Sequence, residues 1–318
     1  LVSLHQLRCF LATLESGSFT GAAAELGLAQ PSLSEQVRLL EQSLGTRLFE
    51  RVGRGLVATE AAQALRPHAE RALNAVADGS RAVASVRDAL SGTVRFGLFG
   101  TARLYLGSDL VADVLERHPE LRVELVGQNS MEVLADLRRG RVEAAIIALP
   151  IEDDGLQVRP FMRDEVVLVS TDPAHVRRPV TAADLATATL VLSEASWGNQ
   201  DSTRRQLVRM LQSVGASLQP RVDVEDIEIA LEIAGRGLAD AVTARGVLAL
   251  LGDRLPAGLS WVGFRPRVYD EFAVVSRRGT ELSRATQVVV ELAVARMLDC
   301  QRLAAQSGSH SREVAADV

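Results

Sequence analysis

Between Leu4 and Leu14 the apolar positions Leu4, Leu7, Leu11 and Leu14 recur at helical spacing, which predicts an amphipathic helix over residues 4–16. Gly17 ends it, and Ser18 is placed to cap a second helix carrying Ala22, Ala23 and Leu26. Gly27 supplies the left-handed turn between that helix and a third. Pro31 suits the first turn of the third helix, where a missing N–H costs nothing. Leu33, Val37, Leu40 and Leu44 form its buried stripe, which leaves Pro31, Ser34, Glu35 and Arg38 facing out, and Gly45 stops it. Leu48, Phe49, Leu56 and Val57 then anchor a short hairpin turned at Gly53 and Gly55.

Further on, Leu65, Ala69, Ala72, Val76, Gly79, Val83, Val86 and Leu90 are spaced alternately by four and three, a heptad seam. One reading is a long helix packed on its own domain. Sustained 3.5-residue periodicity favours the other, a dimerisation helix, kinked near Pro67 and weakened at Gly79. After Ser91-Gly92 the pattern changes to alternating strands and helices. "TVRFGL", a helix over 104–117, "ELRVELV", a helix over 131–139 and "VEAAIIA" come first. "EVVLVS", "TLVLS", a helix over 201–214, "RVDV", a helix over 226–235, "LADAV", "FAVVSR" and a helix over 281–303 follow. Such alternation predicts a parallel α/β sheet. The boundaries expected are an N-terminal helical module over 1–64, a linker helix and hinge over 65–91 and an α/β domain over 92–303. Lobe I would take about 92–163 plus 269–303 and lobe II about 164–268, with a flexible tail over 304–318.

Composition changes this picture little. The chain has 318 residues, 47% of them hydrophobic and 24% charged, as expected of a globular protein with more than one domain. No apolar run reaches the roughly 20 residues that span a bilayer, and no secretion signal opens the chain, so the expected compartment is the cytoplasm. Cys9 and Cys300 lie in separate apolar helical patterns and the five histidines are scattered, which argues against a disulfide framework or a metal site. The net charge is −5, yet up to Ser91 nine arginines balance nine acidic residues. There is no lysine, so every phosphate contact falls to arginine. The local concentration is in "TRLFERVGRGLVAT", where Arg47, Arg51 and Arg54 face a single Glu50.

The stretch "LRCFLATLESGSFTGAAAELGLAQPSLSEQVRLLEQSLGTRLFER" resembles the N-terminal module of the LysR-type transcriptional regulators. Phe10, Ser18, Phe19, Ala22, Ala23, Leu26, Gln30, Ser34, Leu40, Glu41, Leu44, Gly45, Leu48, Phe49 and Arg51 fall in register. "GTVRFGL", "HPELRVEL" and "LRRGRVEAAI" look like the family's effector domain, so the likeness runs from Leu4 to about Leu303. It implies an N-terminal all-α winged helix-turn-helix, a long linker helix and a C-terminal α/β two-lobed effector domain of the type 2 periplasmic-binding-protein kind. Ala29 stands where a capping Ser or Thr is common, Ala62 where glycine is usual and Gly107 at a place often held by proline.

Base readout needs side chains at a groove edge, while arginines and backbone amides hold phosphates. Gln30 suits bidentate pairing with adenine, Ser18 and Pro31 sit at helix starts, and Ser32 and Ser34 are short donors or acceptors for phosphate or base. Arg38 reaches phosphate or guanine. Glu35 either accepts from cytosine N4 or simply pairs with Arg38 one turn on. Arg51 and Arg54 extend the contact through the wing. In the two-lobed domain a ligand is expected between lobes, at strand C-ends and helix N-termini. The family pattern puts Thr101 and Ser130 there, faced by Ser196, Trp197, Asn199 and Thr243, although such residues at helix starts are usually caps. Helix N-termini suggest an anion, and a small carboxylate is the expected effector, with no other cofactor.

"GLFGTA" lacks the Gly-Lys-Ser/Thr of a phosphate loop, and no Ser/His/Asp grouping stands in a nucleophile context, so an enzyme is not expected. The rival class is a solute-binding or transport-associated protein of the same two-lobed fold, which would need a secretion signal and no DNA-binding module. The regulator reading implies double-stranded DNA with a pseudo-palindromic site as partner. It also implies a homodimer, by resemblance a homotetramer, and a contact with RNA polymerase if the protein activates.

Overall fold

The computed structural model describes residues 2–52, 55–85, 92–127, 129–196, 198 and 201–307. They divide into two compact units that change over near residue 88. In the first, α1 (Leu4–Ser16), α2 (Phe19–Leu26) and α3 (Gln30–Leu44) precede a hairpin of β1 (Phe49–Val52) and β2 (Gly55–Ala58). Ser3 opens α1 with a capping box to Gln6, and Gly17, Gly27 and Gly45 close the three helices in the left-handed conformation. The core joins Leu7, Cys9, Phe10, Ala22, Ala23, Leu33, Val37, Leu40, Leu48 and Phe49. The buried stripe of α1 is therefore centred on Leu7 and Phe10, while Leu4 and the expected stripe member Leu44 are exposed. Both lie at helix ends, where the facing layer stops.

The helix α4 (Glu60–Ser85) starts five residues before the expected linker, led by Thr59, whose Oγ1 accepts from the Ala62 N–H at 3.2 Å. Pro67 lies inside it. The heptad seam divides in two. Ala69 is buried in the core of the first unit, with the partly buried Leu65 and Ala72 packed against it, so these three serve their own domain's core. Val76 and Val83 are exposed, 49% and 73%. Val86 and Leu90 lie outside the described residues. A 3.5-residue repeat only says that one face is apolar; it does not say whose surface covers it.

The second unit is built on one eight-stranded sheet in the order β4-β3-β5-β10-β6-β9-β7-β8. Its elements run β3 (Gly92–Leu98), α5 (Gly100–Arg117), β4 (Leu121–Val126), α6 (Ser130–Arg138), β5 (Ala144–Leu149) and β6 (Leu156–Ser170). They continue with α7 (Ala182–Leu185), β7 (Leu190–Leu192), α8 (Ser202–Gln212), β8 (Val222–Asp223), α9 (Ile227–Gly235) and β9 (Asp240–Ala244). Last come α10 (Arg245–Leu251), β10 (Ser260–Arg277) and α11 (Arg284–Ser307). The sheet is mixed, not parallel as predicted. β3 pairs parallel with β4 and β5, and β7 with β8 and β9, but β10 runs antiparallel to β5 and β6, and β6 to β9. Each lobe is thus a parallel βαβ unit. The strands β6 and β10 cross between them side by side, from Ser260 opposite Ser170 to Arg277 opposite Leu156. Lobe boundaries drawn at 163/164 and 268/269 fall inside these two strands, and α11 carries the ordered chain to Ser307, past the expected start of the tail.

Candidate nucleic-acid interface and ligand cleft

On α3 the sequence pattern and the structure agree about direction. Leu33, Val37 and Leu40 are fully buried, so the opposite face carries Gln30, Pro31, Ser32, Glu35 and Arg38 into solvent. Ala29 at the helix start makes no side-chain cap, which leaves the first backbone N–H groups of α3 open to an anion. Ser34 is partly buried and its hydroxyl donates to the Pro31 carbonyl at 3.0 Å. Arg38 and Glu35 form an exposed ion pair, which holds the Glu35 carboxyl below its usual range. Ser18 caps α2 by accepting from the Gly21 N–H at 3.0 Å.

The hairpin after α3 is held in place by Glu41, whose Oε1 accepts from the N–H groups of Leu48 and Phe49 at 2.7 and 3.2 Å. Phe49 meets Phe10 and Phe19 ring to ring at 5.8 and 6.1 Å. Arg51 lies on β1 opposite Leu56, while Arg54 is outside the described residues. The sequence marks Glu41 only by its register; its role as a buttress follows from the apolar "LF" beneath it.

In the second unit a narrow cleft of about 30 Å³ opens where the two lobes face each other. Thr101, in the first turn of α5, and Thr243, on β9, both line it. An adjoining, larger recess of about 210 Å³ shares Thr101 and is bordered by Arg103 and Glu225. Ser130 is fully buried at the start of α6, outside this lining, with its hydroxyl lacking a hydrogen-bond partner. Ser196 is exposed and already engaged. Its hydroxyl donates to Glu225 Oε1 at 2.6 Å and accepts from Asn129 Nδ2 at 3.1 Å, which ties lobe II to lobe I. Trp197 and Asn199 lie outside the described residues. Two further ties join the lobes, from Ser202 Oγ to the Leu149 carbonyl and from Arg205 Nη2 to the Pro150 carbonyl at 2.6 Å.

The cleft wall holds acids that the sequence pattern does not flag. Asp201 caps α8, accepting from the Arg204 N–H at 2.7 Å, and burial raises its carboxyl pKa. Asp270 accepts from Thr203 Oγ1 at 2.8 Å and is pushed up to about 7 by burial, then by the charge of Asp201. Glu194 is 7% exposed and pushed up to about 8 by burial, then by Asp201 and Glu225. Arg204 spends its guanidinium on the Ser193 carbonyl and on Asp223 at 2.5 Å. The expected small carboxylate rests on open helix N-termini. At α8 that place is taken by the carboxylate of Asp201, while α5, with Phe99 at its start, and α9, with Asp226 at its start and Glu228 in the first turn, carry no side-chain cap. The lining of the cleft and its recess carries more acids than cations, Arg103 and Arg204 being the arginines there. The available signal is the run of acids around the starts of α8 and α9, Asp201, Glu225, Asp226 and Glu228, with Glu194 just after β7.

Among the described residues no group of His, Cys, Asp and Glu is arranged to hold a metal ion, and no helix is long and apolar enough to cross a membrane.

Residues 4–63 match the family model described as bacterial regulatory helix-turn-helix protein, lysR family, and residues 87–298 match the LysR substrate binding domain. The chain is 38% identical over 173 residues to a probable hydrogen peroxide-inducible genes activator of Mycobacterium xenopi, covering 54% of this chain and 91% of that one. It is 28% identical over 287 residues to the RuBisCO operon transcriptional regulator of Allochromatium vinosum, covering 89% and 93%. Among solved structures, a peroxide-bound cysteine mutant of Corynebacterium glutamicum OxyR superposes with a TM-score of 0.60 at 24% identity, over 100% of this chain and 99% of that one. With a winged helix-turn-helix and a two-lobed ligand-binding domain matched in the same order, the chain belongs to the LysR family of transcriptional regulators.

Proposed function

We propose that this protein binds a pseudo-palindromic double-stranded DNA site as a homodimer, and that a small molecule held between its lobes controls that binding. The observation that carries the reading is the exposed face of α3, with Gln30, Ser32, Glu35 and Arg38 beside an uncapped helix start. Gln30, Glu35 and Arg38 read base edges. Ser18, Pro31, Ser32 and Ser34 approach the backbone, and Arg51 and Arg54 extend along it from the wing. Val76 and Val83, with Val86 and Leu90 beyond them, meet the partner helix. Two dimers associate through effector domains into a tetramer, and an activating complex would touch RNA polymerase. The working compartment is the cytoplasm.

Thr101 and Thr243 contact the effector. Ligand binding changes the lobe angle by bending β6 and β10, the two strands that both lobes share, to the extent that the ligand prefers one state. A peroxide signal, as the name of the Mycobacterium xenopi relative would suggest, needs a reactive thiolate at the sensing site. This chain has two cysteines: Cys9 is fully buried in the first core, Cys300 lies on α11, and burial raises both thiol pKa values. Neither lines the cleft, which favours a bound effector over thiol oxidation.

A gel shift with the DNA upstream of the protein's own gene tests the reading. Binding that weakens steeply with salt is the expected result. Absence of salt-sensitive binding there overturns it.

A further inference from the structure

We propose that the cleft between the lobes takes a small organic cation, an amine or guanidine, whose charged head pairs with Glu194. This rests on the effector reading above and names the class of ligand. Glu194 follows β7 with a φ of 58°, the one non-glycine residue in the left-handed region among the described residues. That turn aims its side chain into the wall shared by the cleft and its adjoining recess. The residue is 7% exposed, and its Oε2 has no hydrogen-bond partner. A buried carboxyl with an orphaned oxygen is a group whose partner is missing.

The surroundings select the sign of that partner. Asp201 and Asp270 lie on the cleft side of Glu194, and Glu225, Asp226 and Glu228 on the recess side. Of the arginines, Arg204 is taken by Ser193 and Asp223, and Arg103 stands exposed at the mouth. Phe99, Ile227 and Val242 in the same lining suit a carbon skeleton behind the charged head, so the occupant is organic. The recess beside Glu194, of about 210 Å³, accommodates an occupant the size of benzylamine.

Glu194 is pushed up to about 8, raised by burial and by Asp201, Glu225 and Asp226 against the opposing Arg103. Around neutral pH it therefore carries a proton. A cation entering the cleft ionises it, and the proton leaves to the buffer.

The test titrates the full chain with benzylamine, methylguanidine and benzoate by calorimetry near neutral pH, in buffers of different ionisation heat. Either cation should bind at least about tenfold more tightly than benzoate, with a buffer-dependent enthalpy that reports proton release. Glu194→Gln should abolish both the preference and the proton release while melting no lower than the wild type. Benzoate binding as tightly as the cations, binding by neither cation, or unchanged cation affinity in Glu194→Gln overturns the assignment. If that variant does not fold, the wild-type preference and its buffer dependence decide alone. The upstream-DNA gel shift needs no ligand. Salt-sensitive DNA binding without cation preference would remove only this assignment, and absent DNA binding would remove the regulator reading itself.

Discussion

Arg38 grips Glu35 with both prongs of its guanidinium, Nε to Oε2 at 2.7 Å and Nη2 to Oε1 at 2.5 Å, on the exposed face of α3. The fork lowers the Glu35 pKa and raises that of Arg38. Each side chain thus masks the other before DNA arrives. An exposed pair of this kind adds little stability, so its interest is at the groove. Either Arg38 lets go to take a phosphate, or the pair enters together with Glu35 turned toward a base.

Replacing Glu35 separates these. Glu35→Ala frees Arg38 for phosphate, so overall affinity should not fall. Preference at one base pair should be lost, by about 1–3 kcal/mol, if Glu35 accepts from cytosine N4. Competition binding against single-base variants of the site measures it. An equal change on every variant would reduce Glu35 to a brake on Arg38.

Arg51 stands on the hairpin that Glu41 buttresses from α3. Its contact is expected to be with phosphate. Arg51→Ala should weaken binding on all sequences alike and lower the slope of log K against log salt by about 0.9. A salt titration of the gel shift gives that slope directly, and loss confined to one sequence would make Arg51 a base reader.

The two halves of the α4 seam should respond differently. Val76→Asp or Val83→Asp changes an exposed position and should leave the melting of the first unit in place while splitting the dimer, as read by sedimentation. Ala69→Asp puts a charge at a site 1% exposed and should unfold that unit, at a cost of several kcal/mol. A dimer that survives both valine changes would place its interface elsewhere.

The sequence pattern located most elements because their periods are local. The helices α1, α2 and α3 and the strands β3, β4 and β5 follow from apolar spacing, caps and glycines. Two features escaped it. β6 and β10 extend to 15 and 18 residues, well beyond "EVVLVS" and "FAVVSR". Their pairing is interrupted by register shifts between Gly263 and Val268 and between Phe272 and Ala273, which break the alternation. The antiparallel crossing is a long-range event that neither strand announces. The charge of the cleft escaped for a related reason. Glu194, Asp201, Glu225 and Asp270 are distant in sequence, each ordinary by itself, and only the fold sets them around one space.

Those acids should make the empty protein less stable as pH rises. Glu194 moves from 4.5 to about 8 on folding and Asp270 from 3.8 to about 7, each pushed up first by burial. A carboxyl whose folded pKa lies above its unfolded value keeps a proton that the unfolded chain has released. Its contribution is therefore most favourable below the unfolded pKa and is lost as pH climbs to the folded one. For both groups together that window runs from about pH 4 to about pH 8, at up to about 1.4 kcal/mol per pH unit per group. Asp184, lowered to about 2 by Arg178 and Thr181, acts oppositely but only in acid below that window. The melting temperature of the second unit should accordingly fall between about pH 5.5 and pH 8. Glu194→Gln and Asp270→Asn should each flatten the decline, with a remainder from Asp164 and Asp201, which burial also raises. Calorimetric melts across that range check it, and a melting temperature that rises with pH in the wild type would mean that both carboxyls are ionised in the folded protein.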